Sequence, residues 1–255
     1  FSAIKKGAPV QPREVVLPST CADRHIYNQF VIRVAQRDRV RQALAEKGVT
    51  TLEAPVTGGA HNAESATITI LVGGDEDIYR KHTAAFAAMG GRVFYLGELG
   101  KAAIIKVITN MLAFIHIAAT AEAYMLAAKG GIDLRLAWEV IKASSGNSFI
   151  HETESTTILS GSYDIGFSLD LSCKDLGFAT QLGREFDVPL PIASLVEQLN
   201  QSARDEFGGS AGSPMVAKLI EHACATALRA PGFPINLEEY LQSMPRAERL
   251  ANPIL

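Results

Sequence analysis

Apolar and polar positions follow two different rhythms along this 255-residue chain, and the change comes near Gly100. Before that point, short apolar runs alternate with polar, helix-prone stretches. Glu14 to Pro18 reads as a strand that ends at Ser19-Thr20, and Asp38 to Lys47 as a helix closed by Gly48. Thr51 to Val56 reads as a buried strand stopped by Thr57-Gly58-Gly59. Thr67 to Val72 alternates threonine with aliphatic residues before Gly73-Gly74, a strand followed by a turn. Asp75 to Met89 reads as a helix closed by Gly90-Gly91, with a further strand over Arg92 to Leu96. Such alternation predicts an α/β layer with a mostly parallel sheet.

From Lys101 to Lys129 there is neither Pro nor Gly, and Ala, Ile and Leu dominate until Gly130-Gly131. At 1.5 Å per residue this would be a helix of about 45 Å. Helical patterns alone follow, over Leu134–Ser144, Leu171–Phe186, Ile192–Phe207 and Pro214–Leu228. The predicted organisation is an α/β segment at 1–99, a connecting helix at 100–130 and an all-helical domain at 131–255. Met111 to Ala128 is the most apolar stretch, but it carries His116, Thr120 and Glu122. It therefore reads as a helix buried between domains and not as a membrane span.

Composition narrows the function. Hydrophobic residues make up 47% of the chain and aromatics only 7%, so a core can form but must be aliphatic. A net charge of −3 without a basic block argues against nucleic acid as a partner. Cys21, Cys173 and Cys224 are far apart and fit reduced thiols in an intracellular protein. Phe1 to Gly7 lacks the apolar core of a signal peptide, so a cytoplasmic location is expected. The first residue is not Met, which leaves the true N-terminus, and with it the mitochondrial matrix, open.

Few residues offer chemistry. Lys106 and Asn110 lie four apart on the long helix and so share a face, among Ile104, Ile105, Val107, Ile108, Met111 and Leu112. Apolar surroundings disfavour an ammonium and lower its pKa, which suits a proton donor or acceptor near neutrality. A lysine whose stem packs on apolar neighbours while its head reaches water has the same spacing. Thr57-Gly58-Gly59 after a strand can offer backbone N–H groups and a hydroxyl to a carboxylate, or can be a simple turn. Lys174-Asp175 reads as a surface pair, Ser145 to Ser148 as a loop, and Gly208 to Ser213 as a flexible connection. The six histidines form no metal motif, and no serine sits in a nucleophile elbow.

Taken in order, these pieces resemble the β-hydroxyacid dehydrogenase family, which includes 3-hydroxyisobutyrate dehydrogenase, tartronate semialdehyde reductase, L-threonate dehydrogenase-like enzymes and, more distantly, 6-phosphogluconate dehydrogenase. Glu53-Ala-Pro-Val-Thr-Gly-Gly59 is similar to the family's D-A-P-V-S-G-G, and Thr67 to Gly74 to the strand and turn after it. Gly97 to Gly100, then Lys106 and Asn110, resemble its catalytic stretch. Glu122 and Lys174-Asp175-Leu176 fall where it has a helix glutamate and K-D-L, and Ser19-Thr20 where it has S-T. The resemblance implies the second half of a Rossmann-like nucleotide-binding domain, a long interdomain helix and a C-terminal helical domain. It implies NAD or NADP as cofactor and a small 3-hydroxy acid or its semialdehyde as substrate.

The same resemblance assigns roles by position. Lys106 would be the general acid/base and Asn110 would place substrate beside it. Thr57, Gly58 and Gly59 would bind the substrate carboxylate, with Lys174 reaching substrate and cofactor. Ser19, Thr20 and Asp175 would join Lys174 at the cofactor, and a homo-oligomer would form through the helical domain. The chain departs from the family at Glu53 for Asp, Thr57 for Ser, Ala102, Asn62 and Ala66 for glycines, and a longer stretch between Thr20 and Gly48. Nothing matches G-x-G-x-x-G, so the first part of the nucleotide domain is expected to be missing. Two other readings compete: a non-catalytic helical dimerisation module, and a lyase with Lys106 as a Schiff-base lysine.

Overall fold

A computed structural model of the chain describes residues 15–16, 33–34, 37–64 and 66–236. It divides into two compact units, residues 1–104 and 105–255. The fold class is α/β followed by all-α, the second part of a Rossmann-like nucleotide-binding domain followed by a helical domain.

In the first unit, β1 (Val15–Val16) pairs antiparallel with β2 (Arg33–Val34). Helix α1 (Arg37–Ala45) follows, its chain turning out through Gly48 at φ +73°. A second sheet has the order β3 (Val56–Thr57), β4 (Thr69–Val72), β5 (Arg92–Tyr95). Strand β4 lies in the middle and is the buried one, with Val72 fully inaccessible. Its side chains Ile70 and Val72 join Ile68 and Phe86 in a hydrophobic core, against which Tyr79 and Tyr95 stack at 4.9 Å between centroids.

The expected mostly parallel sheet is not what forms among the described residues. Strands β4 and β5 are parallel, but β3 and β4 are antiparallel. The two connections differ in length and content. A parallel crossover needs about a dozen residues or more. The 73–91 connection meets that with two helices, α3 (Glu76–Lys81) and α4 (Thr83–Met89). The shorter 58–68 link holds only the six-residue α2 (Gly59–Glu64) and folds straight back. Sequence pattern also predicts one helix over Asp75 to Met89, whereas His82 breaks it at φ −110°, ψ 11°. There the Thr83 hydroxyl takes the Arg80 carbonyl oxygen at 3.1 Å, the local competition threonine brings to a helix.

The long helix α5 (Lys101–Lys129) has the bounds the pattern predicts, and the division between the units falls within its first turns. By length and composition alone it would also suffice to cross a membrane, a test that core helices pass as well. In the second unit its residues Ile117, Ala121, Tyr124 and Met125 form a core with Ile158, Leu159 and Leu169. Around it run α6 (Leu134–Lys142), α7 (Phe149–Glu152) and α8 (Ser155–Ser160), the last two short and unsignalled by periodicity. Helices α9 (Leu169–Glu185) and α10 (Pro191–Phe207) form a hairpin, and a 3₁₀ turn (Ser213–Met215) leads into α11 (Val216–Cys224).

The 208–213 segment is not the flexible connection its glycines suggest. Its carbonyls at Gly209 and Ala211 accept from Asp170 and Leu169, and Ser213 N donates to Phe167 O. Gly212 lies so close to the Tyr163 carbonyl that any side chain would collide with it.

Candidate active site

Lys106 sits on the second turn of α5, half-buried, beside Ile105 and Val107, which are also half-buried. Its ammonium donates to Asn110 Oδ1 at 2.8 Å, the acceptor one helical turn on that the spacing makes available. The Asn110 amide nitrogen in turn donates to Asp175 Oδ2 at 2.7 Å, across 65 residues of sequence. Asp175 Oδ1 holds Lys174 Nζ at 3.0 Å, and the carboxylate side chain is only 13% exposed. Lys106, Asn110, Asp175 and Lys174 thus form one continuous polar chain on two helices of the second unit.

The partners dictate how the Asn110 amide faces. An ammonium has only donors and a carboxylate only acceptors, so oxygen must meet Lys106 and nitrogen must meet Asp175. Burial lowers the pKa of Lys106; the Asp175 carboxylate opposes that fall and the Lys174 ammonium adds to it. The arrangement is a lysine eased toward its neutral form with its head fixed by an amide, the features a proton-exchanging group needs.

Each oxygen of Asp175, which the family resemblance puts at the cofactor, takes one partner here, Asn110 at Oδ2 and Lys174 at Oδ1. Lys174 is half-exposed, and its ammonium has donors to spare beyond Asp175, with the Phe178 ring 5.9 Å away. A three-donor cation of this kind fits a nicotinamide cofactor's polar groups. Lys174 also lines an open cleft of about 480 Å³ with Asp170, Cys173, Gln201, Arg204 and Asp205. Neither Lys106 nor Asn110 lines it; the cleft lies on the α9–α10 hairpin surface and meets the polar chain only at Lys174.

In the first unit, Thr57 ends β3 opposite Thr69, and Gly58 and Gly59 follow at φ +122° and +79°. Those backbone angles suit glycine, and a Cβ on Gly58 would lie 2.8 Å from the Asn62 amide nitrogen. Asn62 is buried beneath the turn, its Oδ1 accepting from the Thr67 hydroxyl at 3.2 Å. Three residues that the sequence singles out, Thr57, Gly58 and Gly59, therefore form a glycine-dependent turn of the kind that bares backbone N–H groups.

Sequence reasoning missed the role of Glu53. Its Oε1 accepts from the backbone N–H of Gly100 at 2.7 Å and of Ala102 at 2.9 Å, at the start of α5. It also missed the buried group of Tyr124, whose hydroxyl meets Ser155 Oγ at 2.8 Å and His151 Nδ1 at 3.1 Å. No periodicity could reveal either, because both join residues remote in sequence. Glu122 is exposed on α5, and Ser19 and Thr20 lie outside the described residues. Among the described residues no cluster of three or more His, Cys, Asp or Glu could hold a metal ion.

Known proteins resemble the chain along most of its length. Residues 10–97 match the family model described as the NAD binding domain of 6-phosphogluconate dehydrogenase. Residues 100–220 match that described as NAD-binding of NADP-dependent 3-hydroxyisobutyrate dehydrogenase. The 2-(hydroxymethyl)glutarate dehydrogenase of Eubacterium barkeri is 35% identical over 184 residues, 72% of this chain and 61% of that protein. The L-threonate dehydrogenase of Cupriavidus necator is 31% identical over 221 residues, covering 86% and 71%. A crystal structure of 3-hydroxyisobutyrate dehydrogenase from Salmonella typhimurium superposes with a TM-score of 0.65 at 30% identity, covering 71% of this chain and 64% of that one. The chain thus spans roughly two-thirds of the length of these relatives.

Proposed function

The chain belongs to the β-hydroxyacid dehydrogenase family, a family of NAD(P)-dependent enzymes, and from this premise we propose that Lys106 is the general acid/base of a 3-hydroxy acid oxidoreductase. The observation that carries the reading is the fixed chain Lys106–Asn110–Asp175 in an apolar setting. Bound NAD or NADP would supply hydride acceptance and donation. In oxidation, neutral Lys106 takes the proton of the substrate's 3-hydroxyl; in reduction, the ammonium returns it to the carbonyl oxygen. Asn110 accepts a hydrogen bond from Lys106 and keeps its lone pair aimed in one direction, with Asp175 keeping Asn110 itself in place. Thr57, Gly58 and Gly59 bind the substrate carboxylate through backbone N–H groups and the hydroxyl, and Lys174 holds the cofactor. Asp175 holds Asn110 and, with Lys174, stands at the cofactor side of the site.

Substrates of this class are small acids with a hydroxyl at the third carbon, or the matching semialdehydes. Self-association through the helical domain belongs to the same reading. Support comes from apolar side chains turned to solvent near the α9–α10 bend, Phe186, Val188, Ile192 and Leu195, each at least half exposed.

Lys106→Ala in the full-length protein tests the proposal. General acid/base groups supply about 10²–10⁴ in rate, so kcat is expected to fall by that factor with substrate and cofactor binding retained. A loss of less than about tenfold refutes the assignment.

A further inference from the structure

We propose that Glu53 is a positioning residue for Lys106, its carboxylate fixing the first turn of the helix on which Lys106 stands. Glu53 opens the extended segment that ends, four residues later, in Thr57-Gly58-Gly59. Its backbone is clamped to Gly73 by a reciprocal pair of hydrogen bonds, each of 3.0 Å. That clamp fixes where the side chain starts. Its far end, Oε1, receives Gly100 N and Ala102 N, two of the four N–H groups that a helix start leaves without intrahelical partners. A carboxylate is the favoured acceptor there, since the helix dipole puts positive charge at that end.

Two features show that the local packing accommodates this contact. A Cβ on Gly73 would overlap Glu53 Oε1, so glycine leaves the room the carboxylate occupies. Ala102, one of the two donors, is fully inaccessible, so water has little access to replace the carboxylate at its N–H. Lys106 stands four residues beyond Ala102, one helical turn and about 6 Å along the axis. In an α-helix the Lys106 N–H bonds back to the carbonyl of residue 102. Fraying of the first turn therefore removes the bond beneath Lys106 itself and lets water reach its side chain. Asn110, a turn further on, remains held from Asp175, so the lysine head and its backbone would lose register.

This inference rests on reading Lys106 as the acid/base, but its decisive measurement needs no turnover. Lys106 acylation by limiting acetic anhydride is followed against pH by peptide mass spectrometry in the full-length protein. Burial holds the Lys106 pKa down. Glu53→Ala and Gly73→Ala, which remove or displace the carboxylate, are each expected to move the acylation midpoint to higher pH. Glu53→Gln keeps an acceptor oxygen in place and is expected to leave the midpoint near that of the unaltered protein. In turnover, Glu53→Ala is expected to lower kcat about 10- to 100-fold with KM changed less than threefold, the cost of a misplaced catalytic group. An unchanged acylation profile in both Glu53→Ala and Gly73→Ala overturns the inference even if activity falls. So does a Glu53→Gln profile as shifted as that of Glu53→Ala. Retained activity in Lys106→Ala would sink the catalytic reading alone, with acylation still deciding the role of Glu53.

Discussion

Asp175 offers the sharpest handle on the lysine centre. Its Oδ2 receives the Asn110 amide at 2.7 Å, and the side chain is 13% exposed, so water replaces it poorly. In the native arrangement a flipped Asn110 would set oxygen against the carboxylate and nitrogen against the ammonium, two mismatches at once. Asp175→Ala removes one of them and frees the amide to turn. Hydrogen bonds to charged groups contribute about 1.5–3 kcal/mol. At 1.36 kcal/mol per tenfold, losing that orientation lowers kcat by a factor of about 10 to 150. Asp175→Asn retains an acceptor for Asn110, so the fall is smaller, but it deletes the negative charge. That charge raises the Lys106 pKa against the lowering effect of burial. Its loss favours the neutral amine, so with Lys106 as the proposed base the ascending limb of hydroxy-acid oxidation is expected to move to lower pH. The assay is kcat and kcat/KM against pH in the full-length protein with a 3-hydroxy acid and NAD or NADP, beside thermal unfolding. If both variants stay within about twofold of the parent and the limb does not move, the orienting role of Asp175 is wrong.

Four further outcomes follow from other parts of the molecule. Gly58→Ala places a Cβ 2.8 Å from Asn62 Nδ2 at φ +122°, so strain of about 1–3 kcal/mol should raise KM for the hydroxy acid roughly tenfold or more, read by steady-state kinetics. Burial pushes the Glu154 carboxyl up to about 7 from an ordinary 4.5, so the fold favours its protonated form. Its contribution is present below pH 4.5 and lost as pH rises through 7, and Glu154→Gln should stabilise by on the order of 2 kcal/mol at pH 8 and leave stability unchanged at pH 4, measured by urea unfolding. Leu159→Ala empties a fully buried core position and should cost about 2–5 kcal/mol in the same assay. Leu195→Glu, at a position 57% exposed, should shift sedimentation toward a smaller species while circular dichroism stays unchanged.

The chain's local choices were legible from its residues. Lys101 to Lys129 forms a helix with the predicted ends because 29 residues without Gly or Pro leave nothing to stop it before Gly130. The Lys106–Asn110 contact also follows from spacing, since four residues make one turn. Thr57-Gly58-Gly59 shows itself as a turn because only glycine takes the positive φ it needs. Periodicity alone leaves the chemistry of these residues open; the order of family-like motifs is what singles them out.

What tertiary structure decided is whatever joins remote residues. The antiparallel direction of β3 against β4 is a pairing between strands that the pattern of Thr51 to Val56 does not contain. Asp175 is read from sequence as half of a surface pair with Lys174, yet its second oxygen meets Asn110 from 65 residues away. Glu53 looks like a motif position and proves to be an acceptor for the helix start 47 and 49 residues on. Hydrophobic period and turn chemistry act over one or two turns of chain, so they specify elements. Hydrogen bonds between elements depend on packing that brings specific atoms within 3 Å, and no run of neighbouring residues encodes that distance.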